Sequence, residues 1–407
     1  MPANEASQRR AATAVAAALA ALGAAILLAA WAMDRGWADR HFLPAWAYPW
    51  EMQLRILFWI RVIVAAAGAA VLLLLLPWAV RRTAAGRGRE ALRSSVAALI
   101  ALAAAFAAAE AILHTRTWRS TQERWDKEEP LRARDADYGW TFVANHAGTV
   151  QLHGRTVHYA TGPDGMRIPA AGAAPDLSKP TIVFAGESIT LGYGLEWPET
   201  FPAQVGAVTG LQVANLGINA HAIDQTYLRL RRELPRFARP VAVVVPFVPS
   251  LFDRNLDTDR PHLDAGFRWH PAGRPSFRLV ELGRRAVRYR SDAAIADGVA
   301  MTRRAFRSII AMAAARGARA IVLVPQFLPE SYREAEVRRA VLDDAGIPYR
   351  LVPIRPEWRF PVDRHPTSAG ARALAEAVAV ALGRPASGES AGTGVESPRT
   401  PNEGAHR

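Results

Sequence analysis

A serine hydroxyl becomes a nucleophile only when a base stands beside it and a third group orients that base. Ser188 has a suggestive setting: it follows the apolar run 181–185 (TIVFA) and Gly186-Glu187, and precedes the glycines of LGYG. Asp363 and His365, flanking Arg364 in DRHPTSAGARALAEAVAV, are the obvious partners. On a loop, that carboxylate can hold the imidazole Nδ1–H and leave Nε2 free to take a proton from Ser188. Each piece has a plainer reading. Gly-Glu-Ser suits a helix entry capped by serine, and Asp-x-His-Pro suits a solvated turn. The two pieces lie at the first and last strand ends of one α/β segment, so each strengthens the catalytic reading of the other. The block is not a G-x-S-x-G elbow, because Thr190 stands where the second glycine belongs.

The elements that must position these residues are readable from periodicity. Short apolar runs at 181–185, 211–215, 241–248, 319–324 and 349–354 are rich in branched residues, and helical patterns at 298–316, 330–344 and 367–382 separate several of them. Buried strands alternating with helices predict a parallel sheet covered on both faces. Functional crevices in such sheets lie at the carboxyl ends of the strands, where Ser188 stands. Before them, residues 139–169 alternate as short strands closed by GPDGMR. Residues 250–297 interrupt the alternation and read either as a lid or as a peripheral excursion.

With these blocks in view, residues 138–384 resemble the SGNH, or GDSL, hydrolase family. VFAGESITLGYGLEWPETFPAQV is similar to that family's first block, whose serine is the nucleophile. NLGINAHAIDQ resembles the second, DRHPTSAGARALAEA the last, and YATGPDGMRIP a segment ahead of the core in some membrane-anchored members. The resemblance implies a flavodoxin-like three-layer α/β/α domain and a Ser188–His365–Asp363 triad. It also implies an oxyanion hole built from the backbone N–H groups of Ser188 and Gly217. Two departures stand out. Glu187 replaces the usual aspartate, one methylene longer. The asparagine that normally completes the oxyanion hole after the third strand is missing from VVVPFVPSLFDRN. Ser250 is nearest in register, whereas Asn255 has the amide chemistry. Pro246 and Pro249 predict a shifted path that would bring Asn255 into the position, with Ser250 the lesser donor.

Other chemistry is poorly supported. The chain has no cysteine, so disulfides, thiolate metal sites and cysteine nucleophiles are excluded. The ten histidines form no H-E-x-x-H, and no P-loop or dinucleotide fingerprint occurs, so neither a metal nor a cofactor is expected. Net charge is +13, yet only Lys127 and Lys179 among 50 basic residues are lysines. No nucleic-acid motif accompanies the charge, which reads as a basic surface plus membrane flanks.

Three apolar stretches, 11–33, 62–80 and 94–113, predict transmembrane helices, with tryptophans near their ends. Ala30-Trp31-Ala32 is an A-x-A pattern, but the run is longer than a signal h-region, which favours a retained helix. Glu110 falls about one turn from the predicted exit and reads as interfacial rather than intramembrane. Arg9 and Arg10 precede the first helix, and Arg81, Arg82, Arg87, Arg89 and Arg93 crowd the second loop. The positive-inside rule therefore puts both in the cytoplasm and everything after residue 115 outside. The expected organisation is a membrane domain at 1–114, a juxtamembrane stalk at 115–138, a hydrolase-like domain at 139–384 and a disordered tail at 385–407. The expected protein is an esterase in a bacterial inner membrane, its catalytic domain periplasmic, acting on an acyl ester of an envelope glycan or lipid. O-acyl transfer to a sugar hydroxyl, and glycan binding without catalysis, are the rival functions.

Overall fold

The computed structural model describes residues 2–46, 50–85, 88–115, 128–273, 277–286 and 288–384. Its central feature is an eight-stranded sheet. Five strands are parallel: β6 (Pro180–Phe184), β7 (Gln212–Asn215), β8 (Arg239–Pro246), β11 (Arg319–Phe327) and β12 (Arg350–Ile354). Across the sheet they run β12-β11-β8-β6-β7, so the first strand in sequence lies between the second and the third. That is the flavodoxin-type order, whose switch point falls between β6 and β8. Strands β3 (Ala147–Leu152), β4 (Arg155–Thr161) and β5 (Arg167–Ile168) extend the sheet antiparallel beyond β7. The segment resembling a preamble is thus part of the sheet.

Burial on both faces explains why the parallel strands read as continuous apolar runs. Along β6, Ile182 and Phe184 join one core, while Val183 and Ala185 join the other. Ala242 and Val244 alternate with Val243 and Val245 in β8 in the same way. Helices α7 (Phe201–Thr209) and α12 (Ser368–Ala381) cover the first face with Phe201, Val205 and Leu374. Helices α8 (Ile223–Glu233) and α10 (Asp292–Ala315) cover the second with Leu228, Met301 and Phe306.

Residues 128–138, expected within the stalk, do not behave as one. Strand β1 (Arg132–Asp135) pairs antiparallel with β2 (Gly139–Phe142), and Tyr138 between them is fully buried. The reason is side-chain chemistry: Arg132 and Trp140 both donate to the carbonyl of Asn219, at 3.1 Å each, and clamp the β7–α8 loop. The rest of the expected stalk, 116–127, and the expected tail, 385–407, lie outside the described residues. The 250–297 insertion holds a short hairpin, β9 (His262–Leu263) with β10 (Trp269–His270), and helix α9 (Arg278–Ala286).

Among the described residues up to 115 are the helices α1 (Pro2–Ala32), α2 (Arg35–His41), α3 (Trp50–Ala70), α4 (Leu76–Ala84) and α5 (Gly88–Thr115). A π-helical turn at Val71–Leu75 joins α3 to α4 in one continuous rod. Two spans, Thr13–Ala32 and Trp50–Ala84, are long and apolar enough to cross a membrane. The third expected crossing falls in α5, whose apolar part, Ala103–His114, is shorter. Glycines set the closeness of α1 and α3: a Cβ on Gly68 would meet Leu27 Cγ at 2.9 Å and the Gly23 carbonyl at 3.1 Å. Glu110 receives the N–H groups of Arg278 and Leu279 at 2.6 and 2.9 Å, so it caps α9 at the start of the insertion helix.

Candidate active site

Strand β6 ends at Phe184, and the chain turns through Gly186 at φ 157° into the four-residue helix α6 (Ser188–Leu191). A Cβ on Gly186 would approach Thr190 Oγ1 to 2.4 Å, so the turn requires glycine. The cap of α6 is Glu187, whose carboxylate accepts the Ile189 N–H at 3.2 Å. Ser188 is therefore the first helical residue, not the cap, which leaves its hydroxyl to other partners. Gly192, left-handed at φ 78°, closes the helix by returning its N–H to the Ser188 carbonyl at 3.0 Å.

The structure brings Ser188, His365 and Asp363 together across 177 residues of chain. His365 Nε2 lies 2.8 Å from Ser188 Oγ. On the far side of the ring, Nδ1 lies 2.9 Å from Asp363 Oδ2, close but not aligned as a straight hydrogen bond. The backbone N–H of His365 donates to Asp363 Oδ1 at 3.1 Å, which fixes the carboxylate against its own loop. Burial pushes the Asp363 carboxyl upward, but the His365 contacts and the nearby His153 outweigh it and hold the group below its ordinary range.

His153 was not foreseen from sequence. Its Nε2 lies 3.2 Å from the same Asp363 oxygen, and its ring stacks on Phe360 with centroids 3.9 Å apart. Burial pulls its pKa below the ordinary histidine range against the opposing pull of Asp363. Glu187 also does more than replace an aspartate. Its Oε2 stands 2.5 Å from Ser188 Oγ, so the hydroxyl has two acceptors for a single proton. Only the hydroxyl orientation toward His365 readies the oxygen for attack. Burial pulls the Arg254 guanidinium down to about 10, against the opposing charge of nearby Glu187.

The oxyanion donors expected from sequence are mostly committed elsewhere. The Gly217 N–H donates to Asn215 Oδ1 at 2.9 Å, and Asn215 Nδ2 in turn donates to the Thr190 carbonyl at 2.9 Å. Glycine is needed at 217 for another reason: a Cβ there would sit 2.4 Å from the Leu191 nitrogen. Asn255 is likewise engaged by other groups. Its Oδ1 accepts the Ile223 N–H and its Nδ2 donates to Thr302 Oγ1, both at 3.0 Å, so the amide joins α8 to α10. Ser250 is buried in the 3₁₀ turn Pro249–Leu256. Among the described residues, no hydrogen bond links Ser250 or Asn255 to Ser188, His365 or Asp363. Asn255→Ala is therefore expected to lower thermal stability by about 1–3 kcal/mol, leaving kcat within twofold of the parent. A tenfold loss of kcat with unchanged melting would restore the amide to the oxyanion hole.

Three more residues shape the site. Arg167, only 1% exposed, threads between the sheet and the turn after α6. It donates to the carbonyls of Leu191 and Gly192 at 2.8 Å, Leu195 at 2.6 Å and His158 at 3.3 Å, and lies over the Tyr159 ring. A lone arginine between apolar residues in GMRIP was the available clue. Trp46, from the loop between α2 and α3, has its ring centroid 5.4 Å from that of His365, and Tyr193 approaches the same ring to 4.9 Å. Two small cavities lie near the turn that carries the serine. One, of about 30 Å³, lies between the β6 and β8 ends against Gly186, Glu187 and Pro246. The other, of about 10 Å³, touches Ser188, Tyr193 and His365.

No protein-family model matches the chain, and no curated protein does. Solved structures do. A lipolytic protein of the G-D-S-L family from Desulfitobacterium hafniense DCB-2 is 12% identical, with a TM-score of 0.30 over 49% of this chain and 98% of its own. A carbohydrate esterase described for divergent catalytic and non-catalytic binding functions is 15% identical, with a TM-score of 0.33 over 52% and 66%. The acetyl xylan esterase Est2A from Butyrivibrio proteoclasticus is 12% identical, with a TM-score of 0.30 over the same 52% and 66%. The solved structures similar to this chain thus include GDSL-type lipolytic proteins and carbohydrate esterases, whose likeness spans about half of it.

Proposed function

We propose that the protein is a membrane-anchored serine esterase that removes a short acyl group, of acetyl size, from an ester on an envelope glycan. The observation that carries this is the Ser188 Oγ to His365 Nε2 distance of 2.8 Å, with Asp363 Oδ2 at 2.9 Å from Nδ1. Ser188 Oγ attacks the ester carbonyl while His365 takes its proton, and Asp363 holds the imidazole and balances the imidazolium. The oxyanion faces the N–H of Ser188 at the start of α6. Collapse passes the proton from His365 to the departing sugar oxygen, leaving an acyl-serine. Water, deprotonated by His365, then releases the acid. The preference for a small acyl group is supported by the cavity that touches Ser188, about 10 Å³, against the 300 Å³ or more of ordinary ligand pockets.

The decisive experiment incubates the full chain in detergent with a chromogenic acetyl ester, beside Ser188→Ala. Release by the parent alone supports the reading. No release by either protein overturns it. Adding a sugar acceptor separates hydrolysis from acyl transfer, since transfer yields acetylated sugar.

The extracytoplasmic placement is supported by a parity argument. Residues of the first loop pack on the catalytic domain: Arg290 N–H donates to the His41 carbonyl at 2.9 Å, and Trp37 stacks on Tyr289. Loop and domain therefore share one side of the membrane. Between them the chain passes the Trp50–Ala84 span, so α5 has to cross back. With the arginines after Val80 on the cytoplasmic side, the shared side is outside. Alkaline phosphatase fused after residue 384 is expected to be active, and fused after Arg93 inactive. The reverse pattern would overturn the topology.

A further inference from the structure

We infer that Trp46, carried by the loop between the first two apolar helices, is a positioning residue for the Asp363–His365 loop, so that the membrane segment completes the site. The inference rests on the esterase reading and adds to it a part of the chain far outside the 138–384 domain.

The loop needs an external restraint. Arg364, between the acid and the base, is left-handed at φ 64°, a conformation that residues other than glycine seldom adopt. Val362 beside it is 87% exposed, so burial does not hold this stretch. Within the loop, Phe360 N–H donates to the His365 carbonyl at 2.8 Å and Arg364 N–H to the Phe360 carbonyl at 3.0 Å. These two bonds close the turn on itself and His153 holds the Asp363 and Phe360 side chains, but neither connects the Asp363 backbone to the end of β11.

Trp46 supplies that connection. Its indole Nε1–H donates to the Asp363 carbonyl at 2.8 Å. Its ring meets Phe327, at the end of β11, edge-on at 4.7 Å, while the Arg364 guanidinium lies 5.8 Å over the indole. The indole thus bridges a rigid strand end to the loop that carries both the acid and the base. Trp46 is itself anchored, because Leu43 is built into the main core and the preceding Ala38 is buried. The first loop is a structural part of the catalytic domain rather than a tether.

Trp46→Phe removes the N–H and keeps most of the ring. In the full chain this variant is expected to lower kcat on an acetyl ester about ten- to a hundred-fold with KM within twofold, because misplacing a catalytic group by about 1 Å costs that much. Backbone amides of residues 359–366 are expected to exchange with deuterium at least tenfold faster than in the parent, while those of α10 are unchanged. A purely structural role would lower the melting temperature and leave kcat and the exchange of 359–366 alone. If the parent is active and Trp46→Phe matches it in kcat and exchange, the positioning role is wrong and the esterase reading stands. If the parent itself lacks esterase activity, that reading fails, and the exchange of 359–366 still decides whether Trp46 holds the loop.

Discussion

Ser188→Ala is expected to lower turnover of an acetyl ester by roughly 10⁴-fold or more, and His365→Ala by a similar factor. The two hydroxyl-side contacts explain why. Removal of Oγ eliminates the only atom of this cluster that can form an acyl-enzyme. Removal of the imidazole base leaves the hydroxyl donating to Glu187 Oε2, 2.5 Å away, with no general base aimed at the serine oxygen. Because the groups act as a unit, the double variant is expected to be no worse than either single one. Asp363→Asn is expected to cost less or a similar amount, since His153 remains at the same position to contact the amide oxygen. A serine-directed phosphonate, followed by peptide mass spectrometry, is expected to label Ser188 alone. Labelling at another serine, or full turnover in Ser188→Ala, would remove the triad from the reaction.

Arg167→Ala is expected to destabilise the domain by about 4 kcal/mol, near the top of the range for a single substitution. Four carbonyls, those of His158, Leu191, Gly192 and Leu195, would lose a charged donor in a buried setting. Each unsatisfied group costs about 1–3 kcal/mol before relaxation, and the losses are not additive. Activity is expected to fall as well, since Leu191 and Gly192 end the short helix that carries Ser188. Arg167→Lys is expected to recover little. A single ammonium cannot meet four carbonyls in a plane, and the burial that already lowers the arginine's pKa would neutralise a lysine far more readily. Thermal unfolding in detergent measures the effect. A change under 1 kcal/mol in Arg167→Ala would mean that water or a rearranged turn satisfies the carbonyls.

The parallel strands were legible in the amino-acid sequence because both faces of the sheet are covered. Residues 182–185 and 242–245 are apolar at every position, and turns rich in glycine or proline bound them. Ser188 and the Asp363–His365 pair were legible for a different reason: their chemistry requires short, fixed spacing within a turn. What the sequence could not decide was the destination of each polar group. A glycine after a strand suits an oxyanion donor or a close backbone approach, and only the fold shows that a Cβ at Gly217 would come within 2.4 Å of the Leu191 nitrogen. Asn255 had the right amide for the oxyanion, but tertiary packing placed Ile223 and Thr302 within reach of it first. Tertiary structure alone joined Trp46 to Asp363, 317 residues away, and set Arg167 under the serine turn. Periodicity and turn chemistry are local and leave a mark on the chain. A hydrogen bond between distant segments leaves none, because its partner is defined only once the fold has closed.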